Sequence, residues 1–380
     1  MINTRNTTLV QFSVFIFSVV LVQVTTIAED RRFVSSSRLS LGTQANRSAS
    51  IRLGDFDGDK DLDIVVANGR HWPQQNFLFL NQGRAKFNLA RPLGRDLATS
   101  YATEIADLDN DGDLDIAVGN DNAPNAIFLN NSQGLFQHHT SFGQPSSIRS
   151  LKLVDIDQDG DVDILANARG KQNLIYFNDG SANFPTTRTF GNAVDSTIDV
   201  AVADLNNDGH MDLILANRDG QQNVVLLNEG QARFTQRIPF GNGRDETRAV
   251  AIDDLDGDGN LDWVTGNIGQ PNSIYFGDGK GDVRETVKFG REDGQTYTLT
   301  IADMNNDGHP DIIVGNTGQA NAVFFNQGGG KKFREVRFGD PSHATYNLAV
   351  GDLNQNGYLD IAVANSDSQN FVYLNLPLKQ

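Results

Sequence analysis

Asp107-Leu108-Asp109-Asn110-Asp111-Gly112-Asp113-Leu114-Asp115, followed at once by Ile116-Ala117-Val118, is the stretch whose reading decides the fold. Acidic residues at positions 1, 3, 5 and 9, with glycine at 6, gather carboxylate oxygens around one point and let the backbone turn with φ > 0. Hard oxygen donors in a flexible cage suit Ca²⁺, whereas Zn²⁺ draws on Cys and His and Mg²⁺ keeps several waters. One such loop is equally a solvated turn, because Asp, Asn and Gly are common turn formers. Seven are not. Matching loops begin at Asp55, Asp107, Asp155, Asp204, Asp254, Asp303 and Asp352, in steps of 52, 48, 49, 50, 49 and 49 residues. A period near 50 with several short strands per unit predicts propeller blades.

The net charge of −17 belongs mostly to these loops, since 24 of the 48 Asp and Glu sit at positions 1, 3, 5 or 9. Seven divalent ions would bring the charge near −3, so the acidity describes the ion-free chain. No basic stripe is available to release counterions from a nucleic acid, which excludes that partner class. Residues 1–28 have the form of a secretory signal: Arg5 precedes an apolar run over residues 9–24, and Thr26-Ile27-Ala28 offers a small-residue cleavage site. That run of 16 residues is short for a spanning helix, so a cleaved signal is favoured over an uncleaved anchor and no span is expected in the mature chain 29–380. With no cysteine there is neither disulfide nor thiol nucleophile, and metal is the remaining staple for an exported chain.

Ahead of each loop lies a strand with apolar residues at period two, as at Leu151 and Leu153, Val200 and Val202, or Leu299 and Ile301. A second strand follows the loop (115–118, 163–166, 212–216) and is closed by Asn68, Asn120, Asn167, Asn217, Asn267, Asn316 or Asn365. After a short turn, Asn76, Asn125, Asn173, Asn223, Asn272, Asn321 or Asn370 opens a third strand. Paired Asn imitate a polar binding ladder, but Asn caps turns through its own side chain, and the structural role is expected here. The fourth strand ends on an apolar residue plus Gly, from Leu93-Gly94 and Phe142-Gly143 to Phe338-Gly339. The seventh unit lacks this strand, whereas residues 33–42 have its form, and Leu41-Gly42 precedes Asp55 by the usual 14 residues. The expected fold is therefore all-β: a seven-bladed propeller of four antiparallel strands per blade, closed by an N-terminal strand that completes the last blade.

The combined pattern resembles the FG-GAP and VCBS-type repeats that build the calcium-binding propeller of integrin α-chains and of many secreted proteins. The Ala-Asn or Gly-Asn after each loop strand, as at Ala67-Asn68 and Gly119-Asn120, replaces the Gly-Ala-Pro of integrin blades and leans toward the VCBS side. The resemblance implies side-chain ligands at positions 1, 3, 5 and 9 and a backbone carbonyl at 7. In the first loop these are Asp55, Asp57, Asp59 and Asp63 with Asp61; in the second, Asp107, Asp109, Asp111 and Asp115 with Asp113; in the third, Asp155, Asp157, Asp159 and Asp163 with Asp161. The fourth has Asp204, Asn206, Asp208 and Asp212 with His210, and the fifth Asp254, Asp256, Asp258 and Asp262 with Asn260. The sixth has Asp303, Asn305, Asp307 and Asp311 with His309, and the seventh Asp352, Asn354, Asn356 and Asp360 with Tyr358. Up to seven Ca²⁺ are expected, with loops two, three and five tightest. Loop seven keeps only two carboxylates, and loop one has Lys60 where the others have Gly.

Enzyme signatures are scarce. No Gly-x-Ser-x-Gly elbow, His-Glu-x-x-His helix or phosphate-cradling loop occurs, and carboxylates committed to metal make poor general acids. Six residues ahead of each loop stand Ala49, Tyr101, Arg149, Ile198, Arg248, Tyr297 and Tyr346, which a closed ring would place around one channel mouth. Tyr and Arg dominate binding hot spots, so Tyr101, Arg149, Arg248, Tyr297 and Tyr346 are the ligand candidates; filling the mouth sterically is their alternative role. Trp72, in the longest turn between second and third strands, is a further candidate, and Trp263 is expected in the core. A secreted or cell-surface, non-catalytic binding or adhesion module for a glycan or extracellular protein is expected. The alternatives are a calcium-dependent polysaccharide lyase or hydrolase and a structural spacer.

Overall fold

A computed structural model describes residues 30–378, and the candidate signal segment lies outside them. Seven antiparallel sheets follow one another along the chain. Blade one, for example, comprises Ser48–Gly54, Asp63–Asn68, Gln74–Leu80 and Leu89–Ala98. The first strand of every blade packs on the first strands of both neighbours, blade seven on blade one included, so the ring is closed. Strands two and three are buried along nearly their whole length and the fourth is largely exposed. Among the described residues no helix is long and apolar enough to cross a membrane.

The ring closes as the repeat spacing predicts. Arg31–Val34 and Ser40–Leu41 both pair antiparallel with Asn370–Pro377, the third strand of blade seven. The strand begins two residues earlier than expected, at Arg31, and is broken by a 3₁₀ turn at Ser37–Leu39. Arg31 is fully buried: its Nε donates to Asn375 Oδ1 at 2.8 Å and its guanidinium lies 3.5 Å from the Tyr358 ring centre. Phe33 packs on Phe325 and Phe338 of blade six.

Three devices join the blades. The apolar residue that ends a fourth strand meets an aromatic ring on the third strand of the next blade, as Phe142 meets Tyr176 (5.2 Å between centroids), Phe240 meets Tyr275 (4.9 Å) and Phe338 meets Tyr373 (5.1 Å). The glycine after it is required twice over at Gly143, where φ is 68° and a Cβ would sit 2.3 Å from the Tyr176 hydroxyl. The paired Asn form the second device. Asn76 Oδ1 accepts the Asn68 N–H, while its Nδ2 donates to Ser100 of blade two, whose hydroxyl donates to Asn120 Oδ1. The structural role expected of these Asn is the observed one. The third device, an Asn at the end of strand three, was not foreseen: Asn81, Asn130, Asn178, Asn228, Asn326 and Asn375 each donate Nδ2 to the carbonyl of loop position 2 in the preceding blade.

Two expectations are corrected. In blade three the residue that closes strand two is Ala168, whose N–H donates to Asn173; Asn167 stands one position earlier and donates to Ser150 instead. Blade three also has Ile148 where most blades have Ser or Thr, so Asn125 Nδ2 is left without a partner. In blade one the fourth strand runs on past Gly94 to Ala98 and pairs with Gln74 at the base of the long turn; the turn itself, eight residues from Asn68 to Asn76 where the other blades have five or six, accounts for the 52-residue first step.

Removing residues 1–42 bares the outer edge of Asn370–Pro377, and unpaired strand edges recruit other chains. Size-exclusion chromatography with light scattering is expected to show oligomers for the truncated chain and a monomer for the chain from residue 30; a truncated chain that stays monomeric with an unchanged melting temperature contradicts the closure.

Candidate metal loops and channel mouth

Each acidic loop links the first and second strands of its blade, so all seven lie on one face of the ring. Every loop has the backbone at positive φ at two positions, 4 and 6, of which the sequence pattern marks only the glycine at 6. Lys60 takes that conformation in loop one at φ 73°, as expected of the residue replacing glycine, and stores strain there.

The geometry is built from hydrogen bonds that aim oxygens inward. In loop two, Asp107 accepts the N–H groups of Asp111 and Gly112, and Asp111 accepts that of Asp113. Asp115 accepts the Leu108 N–H at 3.0 Å and the Asn130 N–H at 2.9 Å, tying the loop's entry to the end of strand three. The same double bond to position 9 recurs at Asp63, Asp163, Asp212, Asp262, Asp311 and Asp360, all of them buried. In loops one, two, three and five the carboxylates at positions 1, 3 and 9 bring oxygens within 4.8 Å of one another and can hold a metal ion.

Two observations test whether a hard cation fits. Asp57, Asp109 and Asp157, at position 3 of the first three loops, each keep a buried Oδ1 with no hydrogen-bond partner, an arrangement that native proteins rarely leave uncompensated. Burial also pushes the position-9 carboxyls upward, to about 7 at Asp63, Asp163, Asp311 and Asp360 and about 6 at Asp115, Asp212 and Asp262. Backbone N–H donors pull the other way and lose. Loop five is different. Arg284, anchored by the Gly277 carbonyl at 2.9 Å, reaches Asp256 and lies 2.8 Å from Asp258, a resident cation that the local pattern of loop five does not show.

At the opposite end of the first strands the register slips by one residue in every blade, and the skipped residues are Ala49, Tyr101, Arg149, Ile198, Arg248, Tyr297 and Tyr346. A β-bulge re-aims a side chain, and here seven of them turn the expected ring into the channel. These residues border a cavity of 610 Å³. Arg149 lies over Tyr101 (4.4 Å), Arg248 over Tyr297 (4.1 Å), and Tyr297 packs on Tyr346 (4.8 Å). The long turn of blade one arches over the rim: Arg70 reaches the Tyr346 hydroxyl, and His71 packs on Tyr101 and bonds Asp121 at 2.9 Å. Trp72 rides on its outside, 63% exposed with Arg47 beside it, while Trp263 is core. Arg70, His71 and Asp121 are rim residues that the sequence spacing missed, because they come from turns between second and third strands.

Acidic loops on one face and an Arg–Tyr rim at the other end of a closed ring define a β-propeller, an arrangement consistent with a binding module. The chain belongs to the FG-GAP-like repeat family, which it matches over residues 55–118, 107–166, 155–215, 204–265, 254–314 and 303–363. Among solved structures it is similar to BBS1N in complex with ARL6DN, in crystals soaked with mercury (11% identity, TM-score 0.59, covering 90% of this chain and 97% of that one). The same complex soaked with lead gives 11% identity and a TM-score of 0.61, covering 91% of this chain and 97% of the other. The WD40 β-propeller domain of Doa1 gives 13% identity and a TM-score of 0.57, covering 89% and 96%. At such identities the likeness is one of fold alone. No curated protein matches the chain by sequence.

The raised position-9 carboxyls fix the sign of the pH dependence in the absence of metal. Folded-state values near 6 to 7 lie above the ordinary 3.8, so between about pH 4 and 7 the folded state holds more protons and its stability falls as pH rises. Calorimetry in chelator is expected to give a higher melting temperature at pH 5 than at pH 8, and the slope should flatten or reverse with a saturating divalent ion, because metal and proton compete for the same oxygens. A metal-free melting temperature that climbs from pH 5 to 8 contradicts this.

Proposed function

We propose that this chain is a secreted or cell-surface calcium-binding propeller that holds a partner at the channel mouth and performs no chemistry of its own. The observation that carries the reading is the sevenfold bulge: it projects the variable residue of every blade, five of them Tyr or Arg, into one cavity while the rest of each blade keeps its repeat. A cavity of 610 Å³ is of the size that takes a small ligand or the tip of a chain. An extracellular protein is the favoured partner ahead of a glycan; one of the similar propellers stands in a complex with another protein.

Calcium suits the oxygen-only donor sets of the loops. The side chains at positions 1, 3, 5 and 9 and the carbonyl at position 7 would hold it, and the ion supplies positive charge that compensates the buried position-9 carboxylate. Loops two and three combine four carboxylates with glycine at position 6 and are the tightest sites. Loop five ranks behind them because calcium must displace Arg284 from Asp256 and Asp258. The amide-bearing loops four, six and seven suit the roughly millimolar calcium outside cells. Export is supported by Arg5 and the apolar run of residues 9–24.

The test is a labelled, calcium-loaded chain applied to cell surfaces and to immobilised glycans. The wild type is expected to be retained by surface protein, and replacing Tyr101, Arg149, Arg248, Tyr297 and Tyr346 together should abolish retention while leaving the melting temperature within a few degrees. Retention by the five-residue variant favours a spacer, and new reducing or unsaturated ends on a bound glycan favour an enzyme.

A further inference from the structure

We infer that the channel mouth is a carboxylate-binding site in which Arg248 takes an acidic side chain of a partner polypeptide. This rests on the binding-module reading and names the chemistry that the module recognises.

Cations around the channel are matched with carboxylates, with one exception. Arg149 meets Asp121 at 2.8 Å, Arg52 meets Glu104 at 2.5 Å, Lys152 meets Asp199 at 3.7 Å and Arg70 meets Asp367 at 3.8 Å. Arg248 is only 8% exposed and has neither an ion-pair partner nor a hydrogen-bond acceptor among the described residues; its Nε is buried and unpaired. Its one direct contact of note is the Tyr297 ring beneath it. Buried donors are nearly always satisfied, and a largely buried Arg whose Nε meets no acceptor is unusual in a chain that elsewhere carries excess acid. The planar fork of donors fits a carboxylate, which it meets through charge-assisted hydrogen bonds. The Tyr297 hydroxyl, on the ring beneath Arg248, has no hydrogen-bond partner among the described residues either and lines the same cavity.

The rings themselves argue for a peptide over a sugar. A saccharide would stack on open aromatic faces, but Tyr101 is covered by Arg149, Tyr346 by Arg70, and Tyr297 by Arg248 and Tyr346. What the mouth leaves available is donors rather than faces.

The wild-type, calcium-loaded chain, ¹⁵N-labelled at arginine, is titrated at low ionic strength with acetyl-Gly-Glu-Gly-amide, its Gln counterpart and glucuronate. The Arg248 Nε–Hε resonance, assigned by its loss in Arg248→Gln, is expected to shift saturably with the Glu peptide and at least tenfold more weakly with the Gln peptide. Arg248→Gln should weaken Glu-peptide binding tenfold or more, with affinity falling as salt is raised. The comparison of Glu and Gln peptides needs no variant and survives a misfolded Arg248→Gln. Equal response to the two peptides overturns the inference, as does tighter binding of glucuronate than of the Glu peptide. If the five-residue variant loses surface retention while a folded Arg248→Gln keeps it, the carboxylate site fails and the binding module stands.

Discussion

Seven buried carboxylates, one at the ninth position of each acidic loop, are the interaction on which the rest of the ring depends. Each accepts one N–H from the start of its loop and one from the end of strand three, so a single side chain fixes the turn between the inner strands and the outer half of the sheet. Burying an ionised group in this way is unfavourable unless charge arrives to match it. The upward pressure on these carboxyls and the orphaned oxygens of Asp57, Asp109 and Asp157 express the same imbalance from two sides. A divalent cation held by these oxygens would remove both.

Around that centre the blades are joined by short-range matches that tolerate local failure. The junction of blades two and three loses its Asn-to-hydroxyl bond because Ile148 replaces a hydroxyl residue, and blade five has Gly277 where six other blades have the clamping Asn. In each case the remaining contacts persist: Phe142 still meets Tyr176 and Phe240 still meets Tyr275. A ring with several parallel joints at each interface loses one without opening, consistent with the nearest-neighbour energetics of repeat proteins.

Much of this was legible in the sequence because a repeat averages out local ambiguity. The blade count, the loop residues, the closing strand and the position of the rim all follow from one period applied to seven copies. What escaped is what depends on a single copy or on a partner distant in sequence. The displaced Asn167 obeys the local composition but not the register, which only the pairing of Ile148 with Ala168 reveals. Arg284 enters loop five from a fourth strand, and Arg70 and His71 reach the rim from a turn that spacing alone reads as a loop. The clamping Asn at the end of strand three recurs in six blades, so its period was visible, but its acceptor lies some 70 residues back in the preceding blade.

The two faces of the ring thus differ in kind: the repeated residues at one end fix the shape, and the bulged residues at the other vary from blade to blade and line the channel mouth. The most direct test of this difference is to count ions on the purified chain by native mass spectrometry after chelation and reloading, with the melting temperature followed in parallel. Several calcium ions per chain and a melting temperature that rises as they bind are predicted. A chain that takes up no calcium, or melts at the same temperature whether stripped or loaded, contradicts the account.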